Sequence, residues 1–481
     1  MERTRAEEDK RDQEIVDLIH KNTIRLLEEI GIKFLSESSL ELLKENGVKV
    51  VGNRAYFTEE QVMDALDKAV KDFTVYARNP KYNVHMNTVN LYMTPAYGSP
   101  SICECDGTVR PSMFDDFIKL ATIIQASDEF QINGGILVQP CDLNADIAAE
   151  AMIYATLCRS DKALFSVCGG KREAENIMEM MKIVFGPDLT ETPCTFNLIS
   201  PLSPLGVTEN TLDTIDVCAM NGQPLVIAPG NMAGATGPIS IAGNVSVANA
   251  EFLGINAYAQ MVRPGTPIIY GFASTVSDMT NMQASNASPG FVKEAKYGSL
   301  LAKRYGVPCR SGGGMSDANG LTAQAGVESA MSFFESFQER ANLMMHATGS
   351  LHSFNSVSFE KLILDMETYT RMKYYFADIP TDEDALAFDA IKEAIEEEGG
   401  TFVTLDHTYE RCHIDPWFAQ VSVHKYTEGD PNLALYDSIH KRIDKLMAEY
   451  QCPELPIEQK EALDQFMLKL GMDEKDLRKV G

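Results

Sequence analysis

Eight short apolar runs, set apart by stretches long enough for a helix, constrain this chain more than any other feature. They cover residues 91–96, 132–138, 163–167, 194–199, 225–228, 268–272, 307–311 and 343–347. The intervening segments 144–158, 173–184 and 208–221 carry apolar residues at helical spacing. Alternation of buried strands with helices predicts parallel α/β architecture, and eight repeats favour a closed (β/α)8 TIM barrel over an open sheet. A doubly wound sheet is the alternative, although no run is followed by the GxGxxG turn of a dinucleotide fold. The first run is the least regular. Residues 103–110 beyond it read as an added hairpin turning on Asp106-Gly107.

Both flanks read as helical. Ile15, Leu18, Ile19, Ile24, Leu27 and Ile30 recur at helical spacing, and Gly31 supplies a stop. Residues 36–46 and 58–68 are two more helices, the second opening on the capping box Thr58-Glu59-Glu60-Gln61. Near the other end, residues 382–398 form a helix ended by Gly399-Gly400, followed by helices over 431–450 and 457–470. The expected division is a helical N-terminal extension (1–88), a barrel core (89–380) and a helical C-terminal cap (381–481).

A net charge of −27 argues against nucleic acid as a partner, because phosphate binding needs a Lys/Arg footprint. The same field favours cationic small molecules. Residues 1–10 are charged rather than apolar, so no secretory leader is expected. No run approaches the ~18 apolar residues of a membrane helix, and a cytoplasmic protein is expected. Ten cysteines lie scattered, several in apolar runs such as Cys168 and Cys194, which predicts reduced, buried thiols rather than a disulfide framework.

In such barrels chemistry sits at the C-terminal ends of the strands. There the sequence places Tyr97, Gln139, Asn197, Ser200, Asn231, Ser274, Asp278, Arg310 and His346, then Gly312-Gly313-Gly314-Met315-Ser316-Asp317. Amides and hydroxyls outnumber acids and bases, and no carboxylate pair suits acid–base or glycosidase chemistry. Arg310 and His346, at the ends of consecutive strands, can share one carboxylate, and Arg suits that through its bidentate fork. The structural alternative pairs Arg310 with Asp317 or Asp278. Tyr97, Phe354 and Phe359 fall in mouth-side segments and Phe272 ends a strand; aromatic faces can hold a quaternary ammonium, which has no hydrogen-bond donor. The glycines 312–314 suggest close backbone approach to a bulky ligand or partner. His407, Cys412 and His413 match no zinc spacing, and Cys103-Glu104-Cys105 reads as a hairpin strand rather than a redox pair, so no metal is expected.

Several separated motifs, in order, resemble one family. They are residues 311–317, Gln324-Ala325-Gly326-Val327-Glu328, residues 343–349 and 359–365, and Gly400-Thr-Phe-Val-Thr-Leu-Asp-His-Thr408. The likeness, over most of the chain, is to the trimethylamine methyltransferase family. Members acting on trimethylamine carry pyrrolysine between a Gln and a Gly; here that position is Ala325. The resemblance therefore implies the branch without pyrrolysine. Those relatives demethylate quaternary amines such as glycine betaine, proline betaine, carnitine or γ-butyrobetaine. They pass the methyl group to the Co(I) of a cognate corrinoid protein. It implies no tightly bound cofactor, a corrinoid (cobalamin) supplied by that partner, and a homo-oligomer. By resemblance, Arg310 and His346 hold a substrate carboxylate, Phe354 flanks the ammonium, and Tyr97, Gln324 and Asp317 line the wall. The alternatives are a tertiary-amine methyltransferase and a catalytically silent barrel that binds betaines or a corrinoid protein.

Overall fold

The computed structural model describes residues 4–166, 169–396, 400–423 and 428–480. All eight apolar runs contain strands: β1 (Tyr92–Met93), β2 (Ile132–Gly134), β3 (Ala163–Phe165), β4 (Thr195–Ile199), β5 (Leu225–Ile227), β6 (Ile268–Gly271), β7 (Cys309–Gly312) and β8 (Leu343–Met345). A helix follows each: α1 (Phe114–Ala126), α2 (Ala148–Arg159), α3 (Lys171–Phe185), α4 (Glu209–Met220), α5 (Ile241–Val262), α6 (Pro289–Tyr305), α7 (Ala323–Gln338) and α8 (Phe359–Tyr375). The strands hydrogen-bond in the order β1-β8-β7-β6-β5-β4-β3-β2, every pair parallel. This is the cyclic order of a (β/α)8 barrel, its ladder unpaired only between β1 and β2. β1 is short; its bonds to β8 run on to Thr94, whose N–H reaches Met344 O at 2.9 Å, and Pro95 follows with no N–H to donate. The predicted hairpin is present as Ser101–Cys103 against Val109–Pro111.

The barrel interior is filled by Phe165, Phe196, Val226, Ile269, Leu343 and Met345. Phe73, Val75, Val84 and Met86 of the hairpin Phe73–Val75/Val84–Met86 join them. Backbone bonds tie this region to the segments entering β3 and β4, Asn79 N to Asp161 O (3.0 Å) and Tyr76 N to Pro193 O (2.7 Å). The hairpin thus plugs the N-terminal end and leaves the C-terminal end for a site.

The flanks depart from a purely helical reading. The N-terminal helices Arg5–Arg25, Glu37–Glu45 and Glu59–Lys68 are present. Thr58 and Gln61 make the reciprocal cap, at 3.3 and 3.0 Å. Between these helices, however, Ile32–Phe34, Lys49–Val51 and Arg54–Tyr56 form a sheet with Gly206–Val207. Strands of three residues are too short to show a period of two, and one partner lies far along the chain. In place of the single helix expected over 382–398 there are two, Glu383–Leu386 and Phe388–Glu396, broken at Ala387 with φ 55°. Gly399, the expected stop, lies outside the described residues, as do Val167 and Cys168.

The outer helices are covered unevenly. Arg5–Arg25 packs on α5 and α6, which explains why α5 is buried all round. Helix Pro431–Glu449 packs on α8 and α1, which flank β1, and Ile457–Leu470 packs on α2 and α3. No helix among the described residues is long and apolar enough to cross a membrane. The described cysteines are free thiols. Cys103, Cys158, Cys194, Cys218 and Cys309 are buried as expected, but Cys105, Cys141 and Cys452 are exposed.

Candidate active site

Arg310, His346, Phe354 and Tyr97 converge at the C-terminal end of the barrel. Arg310, on β7, donates from Nη1 to the Phe272 carbonyl at 2.7 Å and approaches Met345 Sδ with Nε at 3.3 Å. His346 directly follows β8. Its ring centroid lies 4.4 Å from Phe354 and 6.2 Å from Tyr97, the latter at 86°. Tyr97 also meets Phe165 edge-on at 5.6 Å and donates to the Ser166 carbonyl at 3.2 Å. Tyr97 can lie there because Gly135 is a glycine: a Cβ at that position would come within 2.6 Å of the Tyr97 ring.

Electrostatics distinguish this cluster from ordinary core. Arg310 is buried, yet no described carboxylate forms an ion pair with it, so neither Asp317 nor Asp278 is its partner. Burial lowers its pKa to about 10, which leaves it charged at neutral pH. The His346 imidazole is held well below its usual range, first by burial and then by the Arg310 charge. Its Nδ1 is buried without a partner among the described residues. A desolvated cation beside a neutral imidazole and two aromatic rings is an environment for a group carrying both an anion and a bulky apolar cation.

The loop carrying Phe354 is backbone-strained. His346, His352, Ser353 and Phe354 have φ of 53°, 52°, 51° and 76°, each costing on the order of 1–3 kcal/mol. Asp317 holds it in place. Its carboxylate accepts from Ser353 Oγ at 2.5 Å, Ser285 Oγ at 2.6 Å and Asn286 N at 2.9 Å. Glu328 in turn accepts from Ser316 Oγ, Asp317 N and Gln324 Nε2 at 2.7–2.9 Å. Asp317 therefore holds the loop through Ser353, and Gln324 acts one step further back, through Glu328. Ala325 is buried with Cys103, Ala318 and Leu351 in a small apolar cluster. Asp317→Ala should lower kcat/KM by about 10–100-fold, since a small misplacement of Phe354 costs that much; steady-state kinetics with a melting curve to confirm folding will check it.

Two clefts flank the cluster. One, of about 340 Å³, is lined by Tyr97, Ile136, Gly170, Leu198, Ser200 and Asn210. The other, of about 660 Å³, includes Pro100, Gln283, Asp317, Asn319, His352 and Ser353.

The structure adds residues that sequence reading missed. Lys361 Nζ, buried on α8, donates to Asp365 (2.6 Å), the Gly314 carbonyl (2.6 Å) and Ser329 Oγ (2.8 Å), while Asp365 accepts from Gly349 N at 2.8 Å. Gly313 and Gly314 let the loop pack against the chain after β8: a Cβ on either would come within 2.5 Å of Ala347. Asn231 and Ser274 are taken up in a buried chain in which Ser274 Oγ donates to Asn231 (2.5 Å), Asn231 to Asn244 (2.5 Å), and Asn244 to both Glu294 oxygens (3.0 and 3.1 Å). The signal for these was only a polar residue at a helical core position.

Burial pushes Glu294 from 4.5 up to about 8, against the lowering effect of Asn244. The folded protein therefore keeps a proton that the unfolded chain loses, so this contribution makes stability fall as pH rises through that window. Glu251 and Glu335, raised by burial to about 7, act in the same direction. Melting temperature should decline from mildly acid to mildly alkaline pH, and Glu294→Gln should flatten that slope; an unchanged slope would assign it elsewhere.

The remaining strand-end residues are structural or peripheral. Asn197 donates to the Thr195 and Pro224 carbonyls. Gln139 bonds Gly98 O from an exposed position, and Asp278 closes a surface turn with Thr280. Phe359 stacks under Lys119 Nζ at 4.2 Å, and Phe272 is buried. His407 bonds the Asp384 carbonyl and His413 packs on Phe418, so they do not gather round Cys412.

Comparisons with known proteins identify the family. The family model described as "Trimethylamine methyltransferase (MTTB)" matches residues 1–472. The glycine betaine methyltransferase of Desulfitobacterium hafniense (strain Y51) is 36% identical, covering 95% of this chain and 96% of the relative. The proline betaine:corrinoid methyltransferase of Eubacterium limosum is 26% identical, covering 94% and 96%. The L-carnitine:corrinoid methyltransferase of the same organism is 26% identical over 73% and 74%. Among solved structures, the monomethylamine methyltransferase of Methanosarcina barkeri aligns with TM-score 0.49 at 10% identity, over 90% of this chain and 98% of that one. From the match over nearly its whole length, this chain belongs to the trimethylamine methyltransferase family.

Proposed function

We propose that the protein demethylates a betaine-type quaternary amine, passing one methyl group to a corrinoid protein. The observation that carries the reading is Arg310, a buried cation with no acid partner among the described residues, beside the rings of His346, Phe354 and Tyr97. Arg310 binds the substrate carboxylate, with His346 Nδ1 available as a second donor when its proton sits there. Phe354 and Tyr97 face the quaternary ammonium group. The relatives acting on glycine betaine, proline betaine and carnitine share both substrate groups with this assignment.

The chemistry asks little of the chain in acid–base terms. As the N–CH3 bond breaks, its electron pair stays on nitrogen and leaves a neutral tertiary amine, so no proton is required. The residues instead fix the ammonium, orient one methyl group outward and keep water away. The corrinoid, brought by a partner protein, supplies the nucleophilic Co(I) that takes the methyl group. The larger cleft beside His352 and Ser353 is open to solvent and fits delivery of an acceptor from outside. Ala325 lies in a closed apolar cluster and offers no covalent handle for an amine.

The test is methyl transfer to reduced cobalamin, with its cognate corrinoid protein, for a panel of glycine betaine, proline betaine, carnitine and trimethylamine. Loss of Co(I) absorbance with one betaine and not with trimethylamine is the expected result. Tight betaine binding with no demethylated product would instead establish a binding protein. Phe354→Leu should cost about 2–30-fold in KM for the active betaine, the range of a desolvated cation–π contact.

A further inference from the structure

We infer that Cys105, Glu360 and His440 form a binding site for a divalent metal of the zinc class. The three come from separate elements: the turn of the hairpin Ser101–Cys103/Val109–Pro111, the first turn of α8, and helix Pro431–Glu449. Their sulfur, carboxylate oxygen and imidazole nitrogen all lie within 4.8 Å of one another. His440 Nε2 is 3.0 Å from Glu360 Oε1, and Ser358 Oγ donates to the other Glu360 oxygen at 2.8 Å. Glu360 is thus buried and oriented, with one oxygen turned to the imidazole and the thiol.

The donor set decides the metal. Thiolate with imidazole and one carboxylate suits zinc and its neighbours, not magnesium or calcium, which take oxygen ligands. Tetrahedral bonds of about 2.0–2.3 Å set donor atoms roughly 3.3–3.7 Å apart, so His440 Nε2 and Glu360 Oε1, now 3.0 Å apart, would open slightly to admit the ion. Cys105 is exposed and the His440 side chain half-exposed, so both can turn inward while Glu360 stays fixed. Three protein ligands leave a fourth tetrahedral position for water. Glu104 and Asp106 add negative charge nearby, and Arg110 is already engaged by Glu104 and Asp116. The Cys105 thiol is raised by burial and by Glu360, Asp106 and Glu104; a bound cation reverses that balance, and coordination releases the thiol proton.

A metal there would pin the C-terminal helix and the hairpin to α8. The hairpin pairs with Ser356–Val357, directly after the strained loop of His352, Ser353 and Phe354. The site would therefore brace one wall of the mouth without touching the substrate cluster.

The experiment uses tag-free, full-length protein stripped with a chelator and titrated with Co2+, then with Zn2+ in competition. Expected are about one equivalent of Co2+ per chain, a thiolate-to-cobalt charge-transfer band in the near ultraviolet, and its loss on adding Zn2+. Cys105→Ser should abolish the band, and His440→Gln should weaken binding by about 10–100-fold or more. Cys103→Ser should keep both. Zn2+ should raise the melting temperature of the native protein and of Cys103→Ser but not of Cys105→Ser, whose own melting curve shows that it folds. Absence of stoichiometric Co2+ binding, or a charge-transfer band that survives in Cys105→Ser, would overturn the assignment.

Discussion

Arg310→Met is expected to raise the KM for a betaine by about 100-fold or more while leaving the protein at least as stable. The two halves have one cause. In the free protein Arg310 is buried with no acid among the described residues to answer its charge, so it carries a desolvation cost that methionine does not. Replacing a buried charge with an apolar side chain of similar length is often neutral or stabilising. With substrate bound, the same guanidinium meets a desolvated carboxylate. Losing one partner of such a pair costs about 3–5 kcal/mol, and every ~1.4 kcal/mol is tenfold in affinity. Tetramethylammonium, which lacks a carboxylate, separates this from a folding defect: its turnover should be nearly the same in both proteins. An equal loss for betaine and tetramethylammonium would remove Arg310 from carboxylate binding and leave it a packing residue.

Lys361→Ala should be the most destabilising single substitution near the site. Its ammonium is the common donor to Asp365, Gly314 O and Ser329 Oγ, all in the interior. Removing it strands the Asp365 carboxylate, at a cost of about 3–5 kcal/mol, a large part of the 5–15 kcal/mol typical of a folded domain. Burial raises Asp365 and lowers Lys361, in each case against the pull of the partner. Both directions say that desolvation outweighs attraction in this pair. The double variant Lys361→Met/Asp365→Leu should therefore regain much of the stability lost by Lys361→Ala, as measured by denaturant midpoint. Its kcat/KM should stay depressed, because Gly349 and the glycine loop lose their anchor. Recovery of both stability and activity would show that the pair serves packing alone.

Much of the barrel was legible because its strands are buried on both faces. A strand so placed reads as a continuous apolar run, visible without any partner. The strands Ile32–Phe34, Lys49–Val51 and Arg54–Tyr56 were not legible, since three residues cannot display a period. The break at Ala387 was also hidden, because alanine favours helix and nothing local announces φ 55°. At the candidate site, the placement of Arg310 and His346 at the ends of neighbouring strands was legible, because it depends only on strand order. Gln324 and Asp317 lay in the right motifs, but their contacts buttress a loop.

By itself the sequence determined the eight-fold alternation, the excess of acid, and the shortage of acid–base pairs at the strand ends. These are properties of single segments or of composition, and periodicity and charge need no knowledge of what lies opposite. The tertiary structure alone decided that Arg310 has no acid partner among the described residues, that Phe354 reaches His346, and that Cys105 lies beside Glu360 and His440. The reason is physical. Burial and pairing depend on distances between residues far apart in the chain, and a buried charge differs from a solvated one only through what surrounds it.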